Sequence, residues 1–591
     1  MNDIRRTILW VIFGFSLVML WDQWQLANGH KPIFLPTPRP TVAANAPVDG
    51  RNAGATSSAA GIDRSVPSAT ATGAGTGAGS DTAGALPMQG AGTAAAPSSE
   101  RVTVTTDVFH AEIDSQGATL ADLQLLKYAD QATRSKFVTL MENDSPADRY
   151  LVQTGLINVA GGGAAFPNHL SAMTPRPGPR ELQRGQDTLE VAFESAPAGG
   201  LRYVKTYVFH RGEYLIGVRH EIVNTGEAPR TAQLYLQFLR HGTVKSGTMF
   251  GTNTFTGPAF YTDEKKFHKV NFKEIEDKKA ELPPASDNGW VAMVQHYFVA
   301  AWLIDGGASG AASSSGASNT KRQREFRTAS LGNNLYSAAM VLPLQAIDPG
   351  ASRIIETSLY AGPEEERKLE QLAPGLELVK DYGIFTIIAK PLYWLLKELH
   401  TFIGNWGWSI VALVVCLKAA FYWLNAKAYA SMAKMKGINP KITEMRERLK
   451  GQPKEMQQEM MRIYREEKVN PMGGCFPIVI QIPVFIALYW VLLSSVEMRN
   501  APWIGWIHDL SSPDPLYILP VVMTATSLFQ TWLNPKPPDP MQARLMWMMP
   551  LVFSVMFVFF PAGLVLYWIT NNILSIAQQW FINKRLGVLG K

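Results

Sequence analysis

WGWSIVALVVCLKAAFYWLNAKAY, residues Trp406–Tyr429, decides how the rest of the chain is read. It is apolar and long enough to cross a bilayer core, which takes about 20 such residues. Lys418 stands near its middle. In a single helix Lys418 would lie roughly 15 Å from Trp408 and about 13 Å from Lys427, so its ammonium has no short exit to water. A charge at that depth costs about 2.5–3.5 kcal/mol on insertion scales. A water-filled cavity or a partner offsets the cost. Tyr422 and Asn425 follow at helical spacing on the face of Lys418, which predicts a polar stripe running to one membrane surface. The plainer alternative is a lysine that snorkels or makes a structural polar contact.

The other apolar segments carry polar stripes too. Tyr567, Asn571, Ser575 and Gln579 recur every four residues, Thr524, Ser527 and Thr531 share a second face, and Gln481 stands alone in a third segment. With Lys418 they predict a hydrophilic groove inside the membrane. Hydrogen bonding between helices accounts equally well for any one of them.

Around these stripes the chain reads as six spans. Ile8–Leu20 follows Arg5 and Arg6 and precedes Trp21 and Trp24, the pattern of an uncleaved signal anchor. Cys475–Ser495 and Leu516–Leu533 are further spans, and Pro561-Ala562-Gly563 divides Leu545–Phe581 into two. Asn425–Asn470 is a basic helical hairpin broken at Gly451-Gln452-Pro453, cytoplasmic by the positive-inside rule. Its methionines, from Met432 to Met461, form either an antiparallel seam or an adaptable partner surface. Tyr382–Phe402 reads as an amphipathic helix on the membrane surface, bent at Pro391. Glu497–Pro515 is a short outer loop with Arg499 its one strong base, and Lys584, Arg585 and Lys591 keep the C-terminus in the cytoplasm.

With 591 residues the chain exceeds one domain. A formal charge of +6 and a pI near 9.0 suit anionic lipid or RNA and do not choose between them. Two cysteines exclude a disulfide framework. The Ala/Gly/Ser/Pro-rich stretch from about 40 to 100 is a tether, and its GAGTGAGS lacks the Gly-Lys-Ser/Thr of a phosphate loop. From Arg101 to Gly362, short alternating segments such as TLEVAFES and YLIGVRHEIVN predict an antiparallel β-sandwich, with Ser309–Thr320 as a surface loop. His220-Glu221 lacks the second histidine of a zinc-protease helix and reads as a solvated strand pair. The other histidines show no ligand spacing. The chain is therefore read as a non-enzyme without cofactor or metal.

The resulting divisions are an anchor at 1–25, a tether at 26–100, a sandwich at 101–362, a linker and interfacial helix at 363–403, and a helical core at 404–591 with its hairpin at 425–470. The expected fold class is a polytopic α-helical membrane protein of six transmembrane helices with a large antiparallel β-sandwich.

KVNPMGGCFPIVIQIPVFIALY (Lys468–Tyr489), WIHDL (Trp506–Leu510), DPMQ (Asp539–Gln542) and FPAGLVLYW (Phe560–Trp568) closely resemble the YidC/Oxa/Alb family of membrane protein insertases. The resemblance covers Asp381 to the C-terminus. The anchor, tether and sandwich resemble the Gram-negative form, which implies that five of the six transmembrane helices form the core and that the antiparallel β-sandwich is periplasmic and similar to sugar-binding β-supersandwiches. It implies a groove open to cytoplasm and lipid, lined by Lys418, Tyr422, Asn425, Gln481, Thr524, Ser527, Tyr567, Asn571 and Ser575. It also implies an apolar slide along Ile482, Pro483, Phe485, Met523, Phe560, Tyr567 and Trp568. The partners it implies are nascent integral membrane proteins, the Sec translocon with its accessory subunits, membrane lipids and, weakly, the translating ribosome. The location it implies is the bacterial inner membrane with both termini cytoplasmic. The family's groove base is usually arginine; Lys418 keeps the charge and loses the planar fork. Two other classes compete: a transporter or channel, against which stands the lack of a repeat of spans, and an anchored periplasmic carbohydrate-binding or carbohydrate-active protein, against which stands the lack of a catalytic constellation.

Overall fold

The computed structural model describes residues 99–130, 133, 135–158, 165–243, 254–304, 323–449, 452–467, 476–534 and 540–585. The expected anchor, most of the tether, the Ser309–Thr320 loop, Cys475 and the turn at Lys536 lie outside these residues.

Alternation of apolar and polar side chains builds the first half into two antiparallel sheets face to face. One sheet has eight strands and centres on Ala232–His241, flanked by Tyr150–Asn158 and Leu335–Pro343. The other has nine and centres on Ser352–Pro363, flanked by Phe298–Leu303 and Leu215–Asn224. Along Leu215–Asn224 the residues alternate strictly, so Ile216, Val218, His220 and Ile222 all point inward. His220 is wholly buried, which corrects the solvated reading: a period of two puts it with the isoleucines.

The helices are α1 (Phe272–Glu276), α2 (Glu366–Leu372), α3 (Thr386–Ile403), α4 (Trp406–Ala420), α5 (Tyr422–Arg448), α6 (Pro453–Glu466), α7 (Phe476–Ser494), α8 (Ile518–Leu533), α9 (Pro540–Phe557) and α10 (Ala562–Arg585). The polar segment around α2 is no free linker. Leu369, Leu376 and Val379 join the sandwich core, as does Val496 from the loop after α7. The amphipathic α3 continues without interruption past Pro391. It buries Ala389, Leu392, Tyr393 and Leu396 against the bundle and exposes Ile387, Trp394 and Phe402. Gly404, at φ 71°, ends it in the left-handed conformation that glycine adopts without strain.

No single described helix is long and apolar enough to cross a membrane. The pair α4 and Tyr422–Ser431 passes that test together but is bent by 66°. The expected single span Trp406–Tyr429 is thus broken at Phe421. Three consecutive aromatics, Phe421, Tyr422 and Trp423, stand at the break, and aromatic residues are middling helix formers. Asn405 caps the start of α4, its side chain accepting from the Trp408 N–H at 3.1 Å. At Gly407 the chain passes so close to Trp503 that a Cβ would stand 2.2 Å from the ring, so only glycine fits.

Helix α10 packs against α4, α5, α7 and α8, and α3 packs against α4 and α7. The basic hairpin is α5 and α6, closed by Ile438, Ile442 and Met445 against Met456, Met460 and Ile463. Lys441–Glu467 at 2.6 Å and Arg448–Glu459 at 3.8 Å tie its two helices together.

Candidate functional site

A cavity of about 40 Å³ lies where α4, the start of α5, α7 and α10 meet. Since one water needs roughly 10–15 Å³ by this measure, it holds a few. Val414, Leu417, Phe421, Leu424 and Val484 give it apolar walls, and Lys418, Asn425, Gln481, Tyr567 and Asn571 supply polar groups. Half-buried Lys418 donates to Ser575 Oγ at 2.7 Å, and Ser575 in turn donates to the Asn571 carbonyl at 2.6 Å. No carboxylate pairs with Lys418 among the described residues. The cavity therefore presents an ammonium with unused hydrogen-bonding capacity, since a lysine has three donors.

Of the nine expected groove residues, five line this cavity and Ser575 holds the lysine from beside it. Three do not join them. Tyr422 falls immediately beyond the break at Phe421 and is exposed, whereas Asn425, further along the same helix, reaches the cavity. Thr524 bonds Ser554 of α9. Ser527 accepts from Asn572 at 2.8 Å, on a neighbouring face of α10. These are the inter-helical hydrogen bonds that single polar residues in apolar helices commonly make.

Three of the seven expected slide residues, Phe485, Phe560 and Trp568, stand in an aromatic ring with Phe557 and Tyr489. Phe485 meets Trp568 edge-on at 4.9 Å between ring centres. Trp568 lies 5.3 Å from Phe557, Phe557 lies 5.2 Å from Phe560, and Phe560 lies 5.7 Å from Tyr489. Tyr489 stands one helical turn from Phe485 on α7, which closes the ring. Phe557 and Tyr489 had no sequence reading; their spacing to Phe560 and Phe485 was the available signal. Ile482 is exposed beside the ring, Pro483 is half-buried, and Met523 is buried in the bundle core.

One end of the bundle is closed by the loop between α7 and α8. Asp509 is buried and accepts from the Asn500 and Ser511 N–H groups and from the Ser511 and Ser512 hydroxyls. Asp514 accepts from the Trp506 indole at 2.9 Å and from the Leu519 N–H at 2.7 Å, the latter in the first turn of α8. The Ala562 and Gly563 N–H groups donate to Ser512 and Leu510 carbonyls, stitching the loop to the start of α10. The WIHDL motif is thus a hydrogen-bonded plug.

The sandwich interior holds a second polar set. Lys205 Nζ donates to the Gly117 and Ala118 carbonyls at 2.6 and 3.3 Å. Tyr203 Oη meets His220 Nδ1 at 2.6 Å, and His220 Nε2 meets Thr357 Oγ1 at 3.0 Å. Burial pushes Lys205 down to about 7. Burial, with help from the Lys205 charge, holds His220 well below its usual range. Among the described residues no group of three His, Cys, Asp or Glu could hold a metal.

Known proteins give this arrangement a family. The family model described as the YidC periplasmic domain matches residues 101–395, and that of the 60Kd inner membrane protein matches residues 398–588. The chain is 52% identical to the membrane protein insertase YidC of Cupriavidus metallidurans, over 99% of this chain and 98% of that one. The chain belongs to the YidC family of membrane protein insertases. The Burkholderia multivorans YidC is 48% identical over 100% of this chain and 99% of its own. A solved structure of an active YidC insertase with its first transmembrane domain resolved aligns at TM-score 0.36 and 17% identity, covering 82% of this chain and 92% of that one. In this YidC-family chain, the antiparallel sandwich falls within the periplasmic-domain match and α4 to α10 fall within the inner-membrane match.

Proposed function

We propose that this chain inserts integral membrane proteins into the bacterial inner membrane, without nucleotide or metal, and that Lys418 is the charge that receives the polar segment of the incoming chain. Family membership over nearly the full length supports the activity. The observation that carries the role of Lys418 is its ammonium, held by one serine hydroxyl in a cavity and facing no carboxylate among the described residues. An acidic segment entering the cavity supplies the missing counter-charge. Two unit charges about 4 Å apart attract by about 4 kcal/mol at an effective dielectric near 20, against about 1 in water. Desolvation offsets much of this, leaving about 1–2 kcal/mol. The substrate's apolar helix then leaves along the face of Ile482 and Phe485 and the aromatic ring, into lipid.

In this reading the chain has six spans, five of them the core, with the bent α4–α5 unit as the first core span. The sandwich and the Asp509 plug face the periplasm. The basic hairpin α5–α6 and both termini face the cytoplasm, where the hairpin and the C-terminal bases meet the ribosome weakly. The Sec translocon is a second partner. Labelling single cysteines from each side tests the topology, and periplasmic labelling of the hairpin overturns it.

The decisive experiment for Lys418 is insertion into proteoliposomes of one substrate carrying zero, one or two acidic residues in its translocated tail, by wild type and by Lys418→Ala, Lys418→Arg and Lys418→Glu. The alanine loss grows with tail acidity, arginine is tolerated, and glutamate is worse than alanine for the acidic tails. Equal loss across the three tails removes Lys418 from this role and leaves the insertase reading standing.

A further inference from the structure

One buried ammonium joins the sandwich to the bundle. Lys380 follows the 3-10 turn Leu376–Val379, and its side chain has 0% exposure. Its Nζ lies 3.5 Å from Glu497 Oε2 and 3.9 Å from the centre of the Tyr393 ring. Tyr393 in turn donates its hydroxyl hydrogen to Glu497. Glu364, wholly buried at the end of the last strand, is the third member, with Lys380 the strongest of the charges acting on it. Among the described residues Lys380 Nζ, Glu364 Oε1 and Glu497 Oε2 have no hydrogen-bond partner.

Of the two carboxyls, Glu497 is the one in contact with the cation, and Glu364 feels its charge from further off. Burial drives Glu364 well above the carboxylate range, and the lysine only partly opposes it. At Glu497 burial also pushes upward, but Lys380 and the Tyr393 hydroxyl outweigh it and the group ends below its ordinary value. Burial thus favours the neutral form of Glu364, and the contact with Lys380 favours the ionised form of Glu497.

Each arm of this knot belongs to a different part of the molecule. Glu364 is in the sandwich, Tyr393 is on α3, and Glu497 is in the loop at the end of α7. Further ties run beside it. Val496 packs in the sandwich core, His296 Nε2 donates to the Leu493 carbonyl at 2.9 Å, and Arg499 donates to the Ala129 carbonyl at 2.9 Å. The helix held this way, α7, carries Gln481 and Val484 into the cavity and Phe485 and Tyr489 into the aromatic ring.

We propose that Lys380 is a positioning residue for insertion: by holding Glu497 and Tyr393 it fixes the outer end of α7 against α3 and the sandwich, and with it the depth at which α7 presents its substrate face. The proposal rests on the insertase reading. The test uses the full-length protein in proteoliposomes, with wild type, Lys380→Met, Glu497→Gln and the double variant at matched protein levels. Two quantities are read: the insertion rate against substrate concentration, and hydrogen exchange of backbone amides 490–499.

Lys380→Met leaves Glu497 buried without a counter-ion. Its maximal insertion rate falls about fivefold or more at an unchanged half-saturating substrate concentration, and amides 490–499 exchange faster. The double variant removes both charges, and rate and exchange return to within about twofold of wild type. A wild type that inserts nothing sinks the insertase reading; the exchange measurement still decides the position of α7. Lys380→Met with wild-type exchange, or a loss of rate that the double variant does not recover, overturns the positioning role.

Discussion

Lys205 in the sandwich and Lys418 in the bundle are both lysines taken out of bulk water, and the fold treats them in opposite ways. Lys205 is fully enclosed and gives its hydrogens to two backbone carbonyls of the turn at Gly117–Ala118, where both residues have positive φ. Lys418 is half enclosed, gives one hydrogen to a hydroxyl, and opens on a cavity. Burial alone does not mark a functional cation. In the proposed function the mark is unused hydrogen-bonding capacity next to free space, because an unsatisfied buried donor costs free energy that a ligand can recover.

The comparison breaks most visibly in stability. Lys205→Ala leaves a void and strands the carbonyl of Gly117, so the sandwich loses about 3 kcal/mol against urea, while Lys418→Ala loses less than about 1. Proteolysis of the full-length protein across a urea series reads both values. Equal losses at the two sites would mean that Lys418 is a structural lysine too.

The next effect is pH dependence of the sandwich. The folded-state value of Lys205, about 7, lies below the unfolded value of 10.5, so above pH 7 the unfolded chain binds more protons. Stability therefore rises with pH between these values and is lost as pH falls toward 7, by about 1 kcal/mol per unit. Buried Tyr203 and Tyr207, pushed upward by burial, cost stability only when pH passes the ordinary phenol range. From pH 7.5 to 9.5 the wild-type midpoint climbs and that of Lys205→Met stays flatter. Parallel curves would show that another group carries the slope.

At Lys418 the effect is on substrates. Lys418→Ala slows a two-acid tail by about 1–2 kcal/mol, a factor of about 5–30, and a neutral tail by less than about twofold. The smallest expected effect comes from removing Val102–Ile347, which takes Lys205 away entirely. Lys380, Tyr393 and Glu497 stay in the shortened chain, so insertion at matched protein level falls by less than about threefold. A complete loss would place part of the activity in the sandwich.

The chain by itself determined which segments form apolar helices and which pair as strands. Apolar run length, prolines and glycines mark the ends of α7, α8, α9 and α10 to within a few residues, because these signals act within a turn or two of helix. Alternation marks the sandwich for the same local reason. The family was legible too, in four short motifs whose described residues fall in α7, the Asp509 plug, the first turn of α9 and the start of α10. Only the tertiary structure decided how those faces rotate against one another. Spacing put Tyr422, Thr524 and Ser527 on polar stripes, but the first stands exposed just past the break at Phe421 and neighbouring helices claimed the other two. It buried Met523 and His220, closed the aromatic ring through Phe557, and brought Lys380 to Glu497. A periodic pattern names the side of an element on which a residue stands. What stands opposite depends on how distant segments pack, and no local pattern contains that.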